Sequence, residues 1–333
     1  MMYYKGRTLN FSNSYVVDGY TIAGPKENHG KFKGMFDLAL DDDMFGQNTF
    51  ERAERKMFEH AIDGIVGKCN CVHKEVDAIL GGDLLNQIVS MSFAARKTHA
   101  GFLGLYNACA TFVESLIVGS SMLNSGLGKV ICVAGSHFST AERQYRYPLE
   151  LGVLRSPVTQ WTATGVGASM LSSTCEHNCV KITKATIGRV VDFGIMDVNN
   201  MGAAMAPSAC DTICQFLRDT DGDINDYDAI YTGDLGKLGM SILVDLMAQE
   251  GYDISAKLVD CGASLFWEEQ KTYQGGSGAA CTALVFNSKI LSKFRRGEYK
   301  KILFAGTGAL MSPTTSFQGD SIPAITHLVE VCN

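Results

Sequence analysis

"EVDAILGGDLLNQ", residues 75–87, decides how this chain folds, because the chain carries it twice. The second copy is "DYDAIYTGDLGKLG", residues 226–239. Asp77 aligns with Asp228, Ala78-Ile79 with Ala229-Ile230, and Gly82-Asp83-Leu84 with Gly233-Asp234-Leu235. Each copy reads as a short β-rich run that ends in a Gly-Asp turn. A second pair follows: "KVICVAGSHFS", 129–139, parallels "KILFAGTGALMS", 301–312. The upstream flanks agree. In "NTFERAERKMFEHAIDGIV", 48–66, the residues Phe50, Ala53, Met57, Phe58, Ala61, Ile62, Ile65 and Val66 share one helical face. Asn48, with Glu51 three residues on, predicts the cap of that helix. "SACDTICQFLRDT", 208–220, is its helix-like counterpart. Two similar α/β halves imply an internal duplication, with strand tips meeting where the halves join. The predicted boundary falls at 175–180, giving halves 1–175 and 176–333 around one shared core. Sites in α/β folds form in the loops at the carboxyl ends of strands. That singles out Gly82-Asp83, Gly135-Ser136, Gly233-Asp234 and Gly306-Thr307.

The bulk properties exclude several function classes. The 333 residues are 46% hydrophobic, ample for a large core. Net charge is −6, so there is no broad basic surface, and nucleic acid is excluded as a partner. No apolar segment follows a basic start, so no secretory signal is expected. No apolar run approaches the ~20 residues of a membrane span. The 11 cysteines are scattered and mostly lie in apolar runs, which reads as reduced, buried thiols. "CNC", 69–71, and "CEHNC", 175–179, have the composition of metal ligands, but neither has a partner pair at zinc-ribbon spacing. "DTDGDIND", 219–226, resembles half a calcium loop. Its Gly222 stands fourth instead of sixth and no glutamate closes it, so it reads as a turn.

Cys109 lies in "GLYNACATFVESL", 104–116, between two alanines and ahead of a run that is apolar nearly all round. Such a helix is buried, and its amino end carries unpaired amides and partial positive charge. A thiol placed there is expected to have a lowered pKa. The bland reading is a small buried hydrophobe.

"NACATFVESL", 107–116, resembles the nucleophile segment of thiolases and ketoacyl synthases. "TATGVGASML", 162–171, resembles the family's strand hairpin that ends the first half. "QGGSGAACTALVF", 274–286, is similar to the second-half segment that carries a catalytic histidine or asparagine. "KILFAGTGALMSP", 301–313, resembles the glycine-rich last loop. The resemblance covers nearly the whole chain and implies an α/β fold, a five-layer αβαβα sandwich of two duplicated halves. Within that superfamily, "AGPKENHG", "GDLLNQ", "TAERQYRYP", "MGAAMAPSACDTI", "YTGDLGKLG" and "GALMSPTTS" resemble a sporulation-protein branch of spore-forming bacteria. That implies a component of the system that moves dipicolinic acid (pyridine-2,6-dicarboxylate), with calcium, into the spore and out on germination. It would sit peripherally at the forespore and spore inner membrane, beside membrane-embedded proteins of the same transport system. The fold resemblance also implies a homodimer.

Condensing enzymes need two histidines, or a histidine and an asparagine, beside the thiol. The histidine position reads Gly233-Asp234 here, and the asparagine position reads Gly276. An aspartate near the thiol raises its pKa, because like charges oppose ionisation. The expectation is therefore a thiolase fold that keeps its pocket without catalysis. The alternative is an acyltransferase or condensing enzyme using Cys109 with a non-standard base. His137, after the 130–135 strand, is the candidate for that base, or else a histidine in a surface loop.

A planar dianion needs guanidinium or amide donors and a flat apolar wall. "HFSTAERQYRYP", 137–148, places Arg143, Arg146, Tyr145 and Tyr147 close together, unless Glu142 and Glu150 neutralise the arginines. The amides at the start of the Cys109 helix are a second anion site. The residues expected to line the pocket are Cys109, His137, Arg143 and Arg146. The matched segments add Asp83, Asn86, Thr162, Asp234, Gly276, Gly306 and Gly308. No cofactor is expected. If calcium enters with the ligand, Asp83 and Asp234 offer hard oxygen ligands placed symmetrically by the duplication; otherwise they cap the helices that follow them. "GPKENHGKFKGMFD", 24–37, departs from ordinary thiolases, and reads either as a cover loop or as a partner contact.

Overall fold

The computed structural model describes residues 6–175 and 179–333. His177 and the expected junction after residue 175 lie outside them. The first half supplies β1 (Thr8–Asn10), β2 (Tyr15–Ala23), β3 (Leu38–Ala39), β4 (Ala78–Gly82), β5 (Gly101–Gly104), β6 (Lys129–Ser136), β7 (Trp161–Thr162) and β8 (Gly165–Ser172). The second supplies β9 (Val180–Thr186), β10 (Ala229–Thr232), β11 (Leu258–Asp260), β12 (Gly276–Ser277), β13 (Lys301–Ala309) and β14 (Ala324–Cys332).

The main sheet runs β11-β10-β13-β14-β9-β2-β8-β6-β4-β5, with β1 added on β9 and β3 on β2. This order is symmetric about its centre: β2 corresponds to β9, β8 to β14, β6 to β13, β4 to β10 and β5 to β11. Pairing directions obey the same symmetry. β4 runs parallel to β5 and β6, as β10 does to β11 and β13. β6 and β8 are antiparallel, as are β13 and β14. The two arms meet where Tyr15 and Val16 pair with Lys181 and Val180. The repeated "DAI" segments are the equivalent strands β4 and β10, and each is buried along its whole length. Strands covered on both faces need such unbroken apolar runs.

Helices fill the spaces the sheet leaves. Phe50–Lys68 and Val89–Ala95 cover the outer face of the first arm, burying Met57, Phe58, Ile62 and Met91 against Ile79, Ile131 and Val133. Met201–Thr220 and Gly236–Gln249 cover the second arm through Met205, Ile213, Phe216 and Leu243. Between the arms lie Thr111–Asn124 and Ala279–Val285, where Phe112 packs on Phe286 and Phe304 at 5.6 and 6.5 Å between ring centres. Helix, sheet, helix, sheet, helix is the five-layer sandwich that the thiolase and ketoacyl-synthase resemblance implies. The outer helix begins one residue later than expected: Thr49, not Asn48, accepts the capping bond, from the Arg52 amide at 3.3 Å. At 219–226 the chain turns as read, with Asp221 in a left-handed cap and the Asp223 carboxylate accepting from the Asn225 amide.

The thiol expectation needs two corrections. Cys69, Cys71 and Cys332 are only partly buried. Cys175 and Cys179 form a disulfide in the connection between β8 and β9, while the other described cysteines are free. The 24–37 segment is packed against the body. Lys26 sits 3.9 Å above the Trp161 ring and donates to the Gln270 carbonyl at 2.9 Å. Beside it, Glu27 is wholly buried and neither carboxyl oxygen has a hydrogen-bond partner among the described residues. Burial pushes its pKa up to about 8 from 4.5. A folded pKa raised in this way gives stability that is fully present below about pH 4.5 and is lost as pH rises through about 8. Glu27→Gln is therefore expected to flatten that decline and to add about 1–3 kcal/mol at pH 8.5, but not at pH 4. Chemical denaturation at the two pH values measures it.

Candidate functional site

The strand tips of both halves converge on Cys109. The turn that presents it is strained: Ala108 takes φ 50°, in the left-handed region that alanine rarely enters. This kink sets Cys109 in a short turn ahead of Thr111–Asn124. The turn nests against β13, and two glycines make that approach feasible. A Cβ on Gly306 would stand 2.6 Å from Val113 Cγ2, and one on Gly308 would stand 2.5 Å from the Asn107 carbonyl oxygen. Gly306 and Gly308 therefore seat the Cys109 turn and lie behind the pocket. Gly308→Ala is expected to displace the turn and cost about 1–3 kcal/mol, read as a lower denaturation midpoint.

The surroundings of Cys109 disfavour its thiolate. Burial raises its pKa well above the ordinary thiol value, and the neighbouring Asp234 carboxylate adds to the rise. The lowered pKa expected from the helix terminus is thus overturned: desolvation and a like charge outweigh the backbone amides. Asp234 follows β10, at the strand tip where the histidine was sought. Its Oδ2 accepts from the Gly278 amide at 3.0 Å, and its Oδ1 from the Thr307 hydroxyl at 2.9 Å. Burial lifts its own pKa to about 6. On the other side, the Ser277 side chain, not Gly276, reaches the thiol. Gly276 is turned inward: its carbonyl accepts from Gln160 at 3.1 Å. The short β7–β12 pairing, Trp161 with Gly276 and Thr162 with Ser277, sets which residue faces the sulfur. Thr162 and Ser277 line the cavity with Cys109, Tyr106, Tyr145 and Arg146. That cavity is about 40 Å³, room for a water or two.

His137 does not join them. It is fully buried, accepts from the Ser139 amide as a helix cap, and lies 2.8 Å from the Asp43 carbonyl oxygen through Nε2. Burial lowers its pKa. It is neither a base at the thiol nor a surface-loop residue. His327 packs its Nε2 3.1 Å from the Asn107 side-chain amide and accepts from the Gly188 amide, and it does not line the cavity.

The arginines separate. Arg143 lies on the surface, paired with Glu51, and lines neither the Cys109 cavity nor the chamber beside it. Arg146 is buried and forms part of the wall of both the Cys109 cavity and a neighbouring chamber of about 360 Å³. Sequence reasoning missed its companion, Arg155, in the same chamber. Both guanidiniums share one carboxylate oxygen, Glu142 Oε1, at 2.6 and 3.3 Å. Each has a buried Nε without a hydrogen-bond partner among the described residues. Two cations against one anion leave net positive charge in the chamber. Its apolar side is Phe138, which stacks on Trp161 at 3.7 Å with 6° between ring planes. Arg155 lies 5.7 and 5.2 Å from those two ring centres. Tyr147, Leu149, Val153 and Leu154 also line it. No sequence pattern joined Phe138, Arg155 and Trp161, since their contact is made by the fold.

Asp83 is a structural cap. Its oxygens accept from the Leu85 amide at 2.8 Å and the Met91 amide at 2.7 Å. Asn86 borders a separate surface pocket with Tyr106, Tyr145 and Met311. Asp83 and Asp234 are both enclosed by internal hydrogen bonds, and do not stand as an open calcium pair. Among the described residues, no group of three or more acidic, thiol or imidazole side chains is arranged to hold a metal ion.

The fold is shared with condensing enzymes. OleA from Xanthomonas campestris superposes with a TM-score of 0.61 at 13% identity, covering 98% of this chain and 99% of that one. The 3-oxoacyl-(acyl carrier protein) synthase III, FabH, of Xanthomonas oryzae pv. oryzae gives 0.61 at 13%, over 98% and 100%. At these identities the likeness establishes the thiolase-type fold alone. The sequence relationship is closer elsewhere. Stage V sporulation protein AD of Bacillus subtilis (strain 168) is 40% identical over 314 residues, 94% of this chain and 92% of that protein. The family described as stage V sporulation protein AD (SpoVAD) matches residues 5–332. The chain therefore belongs to the SpoVAD family of sporulation proteins, built on the thiolase fold.

Proposed function

We propose that this protein binds dipicolinate without transforming it, in the Arg146–Arg155 chamber above the Cys109 pocket. The observation that carries this reading is the charge balance: two guanidiniums, that of Arg146 buried and that of Arg155 partly buried, share one carboxylate beside a flat aromatic wall. Planar guanidinium forks match carboxylates, and Phe138 offers a face to a pyridine ring. The chamber volume, about 360 Å³, is in the range of small-molecule sites. The surplus positive charge suits the free dianion better than its neutral one-to-one calcium complex. Calorimetric titration with dipicolinate, with and without calcium, tests this: binding is expected in both, and stronger without the metal. Absence of heat in both overturns the reading.

The protein serves in this reading as a peripheral component at the spore inner membrane, held there by membrane-embedded partners of the transport system. Among the described residues, no helix is long and apolar enough to cross a membrane. A homodimer is the expected assembly. The edge strand β5 is exposed along its length and carries Phe102 and Leu103. Light scattering after size exclusion measures its mass.

The second reading is acyl transfer at Cys109, favoured by the condensing-enzyme fold. Asp234 beside the thiol opposes it, since a carboxylate there suppresses the thiolate that attack requires.

A further inference from the structure

The two cysteine clusters without partners at ligand spacing in the sequence are neighbours in space. Cys69 caps the Phe50–Lys68 helix, and the Cys71 thiol donates to the Val66 carbonyl at 3.5 Å. The Cys175–Cys179 disulfide lies in the connection from β8 to β9. Cys69, Cys71 and Cys179 border one open cavity of about 280 Å³ on the side of the molecule where the two sheet arms join. Lys129 borders it too, held by Glu75 at 2.6 Å, and its ammonium acts on both thiols. Two free thiols, a disulfide and a cation therefore share one water-accessible space, which no part of the Cys109 site uses.

We propose that these four cysteines form a thiol–disulfide exchange site, with Cys71 as the attacking thiol and Cys179 as the sulfur attacked. Cys71 first releases its proton to solvent. Its thiolate then forms a bond to Cys179 Sγ as the Cys175–Cys179 bond breaks, and Cys175 leaves as a thiolate that takes up a proton. One disulfide is consumed and one is made, so no outside oxidant or reductant enters. Cys71 is the better nucleophile of the pair. Lys129 is the strongest charge acting on it, whereas Asp18 is the strongest acting on the more deeply buried Cys69. Burial raises both thiols, Cys69 to about 12, so exchange is slow near neutral pH and speeds up as pH rises. The product replaces a loop closed over a sequence separation of 4 with a tether between the outer-helix end and the link joining the halves.

A metal site of the same four sulfurs is less favoured, because two of them are bonded to each other and no described cluster converges on an ion. The test is disulfide mapping of the full-length native protein held anaerobically at pH 7 and pH 8.5, quenched with N-ethylmaleimide and digested without reduction. A Cys71–Cys179 peptide is expected, with label on Cys175, at least several-fold more abundant at pH 8.5. It should vanish in Cys71→Ser and persist in Cys69→Ser. If Cys175–Cys179 is the only linkage at both pH values, with label confined to Cys69 and Cys71, the proposal is wrong. It is equally wrong if the reduced protein takes up one zinc ion that shields all four thiols from the label. The wild-type maps decide the question even if a serine variant fails to fold.

Discussion

Arg146→Ala is expected to weaken dipicolinate binding by about 10- to 100-fold, the scale of one or two charge-assisted hydrogen bonds lost. Arg155→Ala should do the same, because the two guanidiniums face one chamber and share Glu142. Either variant leaves the other arginine to neutralise Glu142, so the fold should survive. Arg143→Ala is the control. It lies only three residues from Arg146, yet its partner is Glu51 at the surface, and binding should not change. Calorimetry on the three variants measures this directly. Equal loss in all three would mean a general charge effect, and no loss in Arg146→Ala would remove the chamber as the site.

Asp234→Asn should make Cys109 alkylate faster with iodoacetamide at pH 8, by about one to two orders of magnitude. The carboxylate raises the thiol pKa, and a unit charge at hydrogen-bonding distance is worth up to ~4 kcal/mol at intermediate dielectric. Asparagine keeps one acceptor oxygen for the Gly278 amide, and its NH2 can donate to the Thr307 hydroxyl, which rotates to accept. The sign has a pH signature. Asp234 is ionised above about pH 6, so the difference between variant and wild type is full there. It shrinks as pH falls through about 6, where the wild-type carboxyl itself becomes neutral. Equal rates at pH 8 would mean that burial alone quiets the sulfur.

The duplication was legible because each half keeps its strand and Gly-Asp turn at matching positions, and the symmetric strand order follows from it. The Asp234 position was legible too, since a strand tip is fixed by the strand before it. Accuracy failed where a side chain's direction depends on distant pairing. Ser277 rather than Gly276 meets the thiol because β12 pairs with β7 in one register. Arg146 rather than Arg143 turns inward because it is the cap that follows the Phe138–Tyr145 helix and leaves helical geometry, with φ −128°. Arg155 belongs to a loop and acquires its role only through Glu142, Phe138 and Trp161. His137 looked like a residue free to titrate, but its environment is set by the Asp43 carbonyl, far away in sequence. The Cys175–Cys179 bond has no signal in a spacing that thiols, ligands and disulfides all tolerate.

That Cys109 carries out no acyl transfer is tested most directly by intact-mass spectrometry of the protein incubated over hours with acetyl- and malonyl-coenzyme A. The expected spectrum is the unmodified mass throughout, with no free coenzyme A above background. A stoichiometric acyl adduct that maps to Cys109, builds up and clears while coenzyme A accumulates would contradict it, and would make Asp234 the partner of a working nucleophile.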